Sequence, residues 1–143
     1  MRLRHFMIAV AKLVVIVIFA ACVTHSAKRR AESMSCGNYM CSIVIGARAW
    51  AMDSDDYLPS DFLSMSNELA TPRILVCPGD HSRHPAPDWA SVTPDNSSYE
   101  IVAPRLRDGD SNEVFLRCKF HHDHRGYADG TVFDGIKRRT KVR

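Results

Sequence analysis

Cysteines and histidines occur together at two places in the second half of the chain. Two cysteines are each followed closely by histidines: Cys77 by His81 and His84, and Cys118 by His121, His122 and His124. Thiolate sulfur and imidazole nitrogen are preferred ligands of Zn²⁺, and two ligand pairs on separate loops can complete a tetrahedral site. The sequence therefore allows a zinc site made by Cys77, His81, Cys118 and His121.

The same cysteines can instead form a disulfide. Cys77 and Cys118 each end a predicted strand, and a disulfide that closes a loop of about 40 residues would stabilise the fold by roughly 4 kcal/mol. We take this disulfide, without a cofactor, as the first interpretation and the zinc site as its alternative, with free thiols or a mixture of these states as a third possibility. Cys36 and Cys41 point about 140° apart on a helix and are not expected to pair with each other.

The histidines do not form a catalytic motif. His122 and His124 flank Asp123 and would lie on one side of an extended chain, but no third ligand or general base can be named. The sequence has no serine nucleophile elbow, phosphate-binding glycine loop or zinc-helix signature. Asp129 before Gly130 fits a turn better than the role of a catalytic acid. We therefore predict that the protein is not an enzyme.

An apolar segment near the N-terminus predicts a membrane helix. Residues 6–23, FMIAVAKLVVIVIFAACV, are about long enough to cross a hydrocarbon core of roughly 30 Å. Lys12 is its one charged residue, and a lysine near a helix end can extend towards the headgroups. Because Arg2 and Arg4 precede the segment, we expect a single pass through the inner membrane with the rest of the chain in the periplasm.

A lipoprotein signal is the alternative interpretation of this segment. Residues 13–21 would then be its short apolar core, and Phe19-Ala20-Ala21-Cys22 resembles a lipobox with Cys22 as the lipidated residue. Both interpretations place the residues after about position 24 outside the cytoplasm. An oxidising compartment of this kind permits disulfides.

The length and charge of the chain limit its partners and its domain organisation. The 143 residues carry a net charge of +3, which gives no reason to expect a nucleic-acid partner. Residues 1–34 form the membrane anchor and a basic collar, residues 35–136 have room for one modest core, and residues 137–143 form a basic, solvated tail.

The patterning of residues 35–136 predicts an α+β head. One helix face is apolar at spacings of three and four residues: Met40, Ile43, Val44, Ala47, Trp50 and Ala51. We predict a short helix at 62–70, strands at 73–77, 98–103, 113–118 and 127–133, and a long loop at 80–96 that Trp89 anchors. Asp108-Gly109 and Asp129-Gly130 suit tight turns in a small antiparallel sheet.

Several segments in this order resemble the pseudopilin-like proteins of type II secretion. These segments are Ser35-Cys36-Gly37-Asn38, WAMDSDDYLP at 50–59, LSMSNELATPRILVCP at 63–78 and CKFHHDHRGYADG at 118–130. The likeness is closest to the branch related to the G-type pseudopilin, whose members end in a histidine followed some residues later by Asp-Gly. It covers most of residues 35–133, and the run 66–78 is its most specific part.

The resemblance implies a type IV pilin-like fold, with a long N-terminal helix packed on a small sheet. It also implies a structural subunit of a secretion or pilus-like assembly, with the membrane, other pseudopilin or secretion-system subunits and copies of itself as partners. The N-terminus departs from the family pattern. His5 precedes Phe6 where prepilins have glycine, and Val10 stands where they have a glutamate that helps assembly.

Overall fold

The computed structural model describes residues 2–135 and 138–139. Within these residues the chain forms one α-helix, α1 (Arg2–Met52), and two short 3₁₀ helices, Pro72–Leu75 and Trp89–Ser91. The strands are β1 (Tyr99–Ile101), β2 (Val114–Cys118), β3 (His124–Tyr127), β4 (Val132–Asp134) and β5 (Arg138–Arg139). The chain divides into two compact units, Met1–Glu32 and Ser33–Arg143, and we call the second unit the head. A long N-terminal helix with a small antiparallel sheet is the α+β class that the sequence predicts.

The first unit is helical throughout its described residues. Its described apolar side chains between positions 6 and 23 are exposed. The Thr24 and Ser26 hydroxyls donate hydrogen bonds to backbone carbonyls one turn earlier, at 3.0 and 2.9 Å, so they add no unpaired donor to the helix surface. This helix is long and apolar enough to cross a membrane, a property that a signal sequence shares.

In the head, α1 buries one face. The buried positions recur at helical spacing and are at most 1 % exposed: Cys36, Met40, Ile43, Val44, Ala47 and Ala51. The predicted apolar face is therefore confirmed, with Trp50 partly buried at its margin. The helix ends in a tight turn, in which the backbone N–H of Asp56 donates to the carbonyl of Ala51 at 3.1 Å.

The five strands form an antiparallel sheet in the order β1-β2-β3-β4-β5. The register pairs Tyr99 with Cys118 across β1 and β2. A bulge in β2 places both Phe115 and Leu116 in the core. Gly126 on β3 lies against α1, because a Cβ there would be only 2.7 Å from Val44 Cγ2. The missing side chain at Gly126 thus lets the helix approach the sheet closely.

Two elements between α1 and the sheet differ from the prediction. Residues 62–70 form successive turns and not a helix, starting where Asp61 Oδ1 accepts a hydrogen bond from the Ser64 N–H at 2.8 Å. These turns bury Met65 and Leu69, and the Asp61 carboxylate accepts a local backbone hydrogen bond that competes with helix formation. The predicted strand at 73–77 is also wrong, because Pro72 favours helical φ and starts a 3₁₀ helix instead.

The end of the chain also differs from the prediction. The predicted strand at 127–133 is two strands, β3 and β4, because Asp129-Gly130 makes the turn within it and Gly130 has φ +90°. Residues 138–139 of the predicted solvated tail pair with β4 as β5. The other tail positions, 137 and 140–143, lie outside the described residues. The loop prediction at 80–96 is confirmed, with one short 3₁₀ turn at Trp89 and that side chain packed on the core.

Candidate metal centre

Four potential metal ligands meet inside the head. The Sγ atoms of Cys36, Cys77 and Cys118 and a ring nitrogen of His121 all lie within 4.8 Å of one another. The three cysteines are at most 1 % exposed and His121 is half-buried. We call these four residues the Cys3His cluster. Among the described residues, this is the group of His, Cys, Asp and Glu side chains whose geometry could hold a metal ion.

Three separate segments bring the ligands together. Cys36 lies on the buried face of α1, and Cys118 is the last residue of β2. Cys77 follows the first 3₁₀ helix and begins a turn in which the Asp80 N–H donates to the Cys77 carbonyl at 2.9 Å. His121 is three residues beyond Cys118 in the turn that leads to β3. The cluster thus connects the helix, the sheet and the irregular segment between them.

Gly79 gives this turn room to lie beside His121. A Cβ at position 79 would be 2.8 Å from Phe120 Cε1 and 3.1 Å from His121 Cε1. The first distance is too short for a real side-chain contact, so any larger residue would have to displace the aromatic rings. Glycine therefore permits the close approach of the Cys77 turn to the Cys118 turn.

Hydrogen bonds already link the ligands. The His121 backbone N–H donates to Cys118 Sγ at 3.2 Å, and His121 Nδ1 lies 3.2 Å from Cys77 Sγ. The Tyr99 hydroxyl donates to Cys36 Sγ at 3.5 Å. Backbone N–H donors directed at a cysteine sulfur favour its thiolate form, which is the form that binds metals.

The surroundings lower the pKa of one buried cysteine and raise the pKa values of two other buried groups. Hydrogen bonds from the thiols of Cys36 and Cys77, together with backbone N–H donors, lower the pKa of Cys118. The hydrogen bond that Cys36 makes to Cys118 raises the pKa of Cys36, and burial raises the pKa of Tyr99. The surroundings of Cys118 therefore favour its thiolate form.

The arrangement matches the donor set of a tetrahedral metal site. In a site with Zn–S bonds of about 2.3 Å, neighbouring sulfur atoms are roughly 3.8 Å apart. The observed upper limit of 4.8 Å is close enough that small side-chain rotations would complete such a site. Three sulfurs and one nitrogen fill all four positions, which leaves none for water or a substrate.

Comparisons with protein-family models, curated proteins and solved structures give no match.

The structure brings together three of the four predicted zinc ligands. Cys77, Cys118 and His121 belong to the cluster, whereas His81 is exposed and Cys36 stands in the fourth place. The sequence did indicate that Cys36 is buried, because Cys36 lies four residues before Met40 on the apolar face of α1. That position assigns the side chain to the core and not to solvent.

The disulfide between Cys77 and Cys118 remains a prediction. All five cysteines are free thiols in the structure, and the two sulfur atoms lie within 4.8 Å of each other. Cys22, the residue considered for lipidation, is exposed on the helix of the first unit. Cys41 is half-buried on α1 outside the Cys3His cluster, which agrees with the expectation that Cys36 and Cys41 face different directions.

Proposed function

We propose that this protein is a membrane-anchored, pseudopilin-like structural subunit of a type II secretion or type IV pilus-like assembly. Its role is structural and not catalytic. Its partners are the membrane, other pseudopilin or secretion-system subunits and further copies of itself, with no nucleic acid. The order of sequence segments shared with that family and the pilin-like α+β layout support this proposal.

The proposed location is the inner membrane, with a single pass and the head in the periplasm. The basic residues Arg2 and Arg4 before the apolar segment support a cytoplasmic N-terminus. The length and apolar character of the helix support the membrane pass. A subunit anchored in this way has its head on the same side of the membrane as the heads of neighbouring subunits.

The observation that carries the proposal is an exposed apolar line on α1 within the head. Met34, Ile45 and Met52 are 53 %, 44 % and 81 % exposed. At 3.6 residues per turn they fall within about 20° of one line along the helix, on a face separate from the buried one. Large apolar side chains aligned on an exposed helix face favour packing against another helix.

A pair of matched substitutions tests this proposal. Ile45→Lys places a charge on the line, whereas Leu63→Lys places one on a different exposed apolar residue, 55 % exposed. The tagged full-length chain would be cross-linked in native membranes, purified in mild detergent and analysed by mass spectrometry for bound subunits. We expect recovery of bound subunits to fall roughly tenfold for Ile45→Lys and to stay unchanged for Leu63→Lys. Equal recovery from both variants, or no subunits bound to the wild type, would contradict the proposal.

A second candidate function is an anchored or lipidated head that binds zinc or a partner protein without polymerising. The Cys3His cluster favours it, because closely packed thiols and an imidazole are a donor set suited to zinc. The intact mass of the chain from native membranes separates a lipoprotein from a retained anchor. A chain that starts at a lipid-modified Cys22 would support the lipoprotein, and a chain that keeps residues 6–23 would exclude it.

A further inference from the structure

We infer that the Cys3His cluster is a structural zinc site and that α1 supplies one of its four ligands through Cys36. The inference rests on the second proposed function, zinc binding by the head, and adds the ligand set and the role of the metal. It does not depend on assembly, so its failure would leave the pseudopilin-like proposal unchanged.

The donor atoms select the class of metal. Three thiol sulfurs and one imidazole nitrogen within 4.8 Å of one another suit a soft or borderline divalent ion with tetrahedral geometry. No carboxylate belongs to the group, which argues against calcium or magnesium, since these ions prefer oxygen ligands. The three cysteines would coordinate Zn²⁺ as thiolates, with any remaining thiol protons released to solvent, and His121 would coordinate as neutral imidazole.

The surroundings of His121 hold its ring in place. The ring stacks on His124 at a centroid distance of 4.7 Å and meets the edge of Phe120 at 4.9 Å. The nitrogen of His121 that faces the thiols is Nδ1, 3.2 Å from Cys77 Sγ. Coordination through Nδ1 would leave the ring proton on Nε2, and the stacked rings would fix the orientation of the ligand.

The metal would stabilise the fold by connecting a segment without regular secondary structure to the helix and the sheet. Between Met52 and Tyr99 the chain has no α-helix or strand, only turns, loops and two short 3₁₀ helices. Cys77 lies near the middle of that segment, about 40 residues from each of the other two cysteines. A metal that closes two loops of this length restricts the unfolded chain strongly. Zinc would thus fasten the irregular segment to both α1 and β2.

Zinc binding and the predicted disulfide exclude each other. The disulfide would join the sulfur atoms of Cys77 and Cys118, and both are needed as ligands in the zinc site. Cys36 is a ligand in the zinc-bound state and a free thiol in the disulfide state. A measurement at Cys36 therefore distinguishes them.

The test is the zinc content of the full-length chain purified from native membranes in detergent, compared with that of matched variants. Cys36→Ser removes the ligand from α1, and Cys41→Ser removes a cysteine from the same helix outside the cluster. His81→Ala tests the set first predicted from the sequence. His121→Cys keeps four ligands and adds a fourth thiolate at a half-buried position, so it tests coordination without depending on loss of the fold. Circular dichroism checks the helix content of each variant.

We expect one zinc ion per chain in the wild type, in Cys41→Ser and in His81→Ala, and little zinc in Cys36→Ser. The thermal midpoint of Cys36→Ser should fall by roughly 10–20 °C, whereas that of Cys41→Ser should change little. After exchange with Co²⁺, His121→Cys should show a stronger sulfur-to-metal absorption band than the wild type.

Three other results would overturn the inference in different ways. A zinc-free wild type that gains two daltons on reduction would support the disulfide and remove the second proposed function with it. Zinc that survives in Cys36→Ser but is lost in His81→Ala would restore the first predicted ligand set. An unchanged cobalt spectrum in His121→Cys would exclude His121 as a ligand.

Discussion

Arg48 and Asp108 form a two-point ion pair that ties α1 to the turn before β2. Arg48 Nε donates to Asp108 Oδ1 at 2.6 Å, and its Nη2 donates to Oδ2 at 3.2 Å. The second Asp-Gly turn packs on the same side chain, since a Cβ at Gly130 would be 2.8 Å from Arg48 Nη1. The two turns are also joined directly, because the Gly109 N–H donates to the Ala128 carbonyl at 3.0 Å. Arg48 thus contacts both Asp-Gly turns and holds them against α1.

Removal of this ion pair should destabilise the head. We expect Asp108→Asn to lower the free energy of unfolding by about 1–2 kcal/mol, because the pair is bidentate and only 30 % and 21 % exposed. Glu100→Gln is the control, since its pair with Arg117 is 44 % exposed on both sides and 3.7 Å long. That control should change the free energy by less than about 0.5 kcal/mol. Thermal unfolding of the full chain in detergent measures both, and equal effects would contradict the assignment.

The two glycines of the Asp-Gly turns should differ in their tolerance of alanine. Both have positive φ, +94° at Gly109 and +90° at Gly130. A Cβ at Gly109 meets nothing within 4 Å, whereas one at Gly130 meets Arg48. Gly109→Ala should therefore cost about 1 kcal/mol for the backbone alone, and Gly130→Ala about 1–2 kcal/mol more. Thermal unfolding of the full chain measures the loss of stability in both variants. A larger loss in Gly109→Ala than in Gly130→Ala would show that the contact with Arg48 does not destabilise the head.

Asp80 should make the stability of the head depend on pH under acidic conditions. Burial would raise the pKa of its carboxyl, but hydrogen bonds from Ser82, Ser98 and Arg83 lower it to about 2, from an ordinary value of 3.8. Because the folded-state pKa is the lower one, the carboxylate contributes stability above about pH 4 that is lost as the pH falls towards 2. The loss should be about 2 kcal/mol.

Substitutions at this site separate Asp80 from the other acids. Asp80→Asn should remove this part of the acid dependence, and Ser98→Ala should reduce it, since its hydroxyl donates to Asp80 Oδ2 at 2.8 Å. Unfolding free energies of the full chain measured from pH 5 to about pH 2 give the comparison. An unchanged acid profile in Asp80→Asn would rule out this carboxylate as its source.

Gly79 should affect metal retention without being a ligand. In Gly79→Ala the new Cβ would press on Phe120 and His121, which lie 2.8 and 3.1 Å away, and would displace the imidazole of the Cys3His cluster. We expect zinc to be transferred to a competing chelator at roughly tenfold lower chelator concentration than in the wild type. Gly109→Ala, whose new Cβ would meet no atom within 4 Å, is the control and should retain zinc normally. Equal retention in the two variants would mean that His121 does not need this space.

Much of the fold could be predicted because it follows from local patterns. The spacing of Met40, Ile43 and Val44 gives the buried face of α1, and the Asp-Gly pairs give two turns. Residues 62–77 could not be predicted in the same way, because their conformation depends on which side chains the core accepts. The core buries Met65 in a turn and Leu75 in the first 3₁₀ helix, and this requirement outweighs the strand propensity of residues 73–77.

The candidate site was only partly predictable, for a similar reason. Cys77, Cys118 and His121 stand out because their histidine and cysteine neighbours are close in sequence. Cys36 has no such neighbour, and its nearness to the other two cysteines arises from the packing of α1 on the sheet. His81 is close to Cys77 in sequence but is exposed and lies outside the cluster, so its spacing was misleading.

Photo-cross-linking from position 45 in native membranes shows directly whether α1 packs against neighbouring subunits. A photoreactive phenylalanine analogue would replace Ile45 in one chain and Leu63 in another, and the adducts would be identified by mass spectrometry. We expect adducts with other anchored subunits or with further copies of this chain from position 45, and few from position 63. Absence of such adducts at position 45, or equal yields at the two positions, would contradict it.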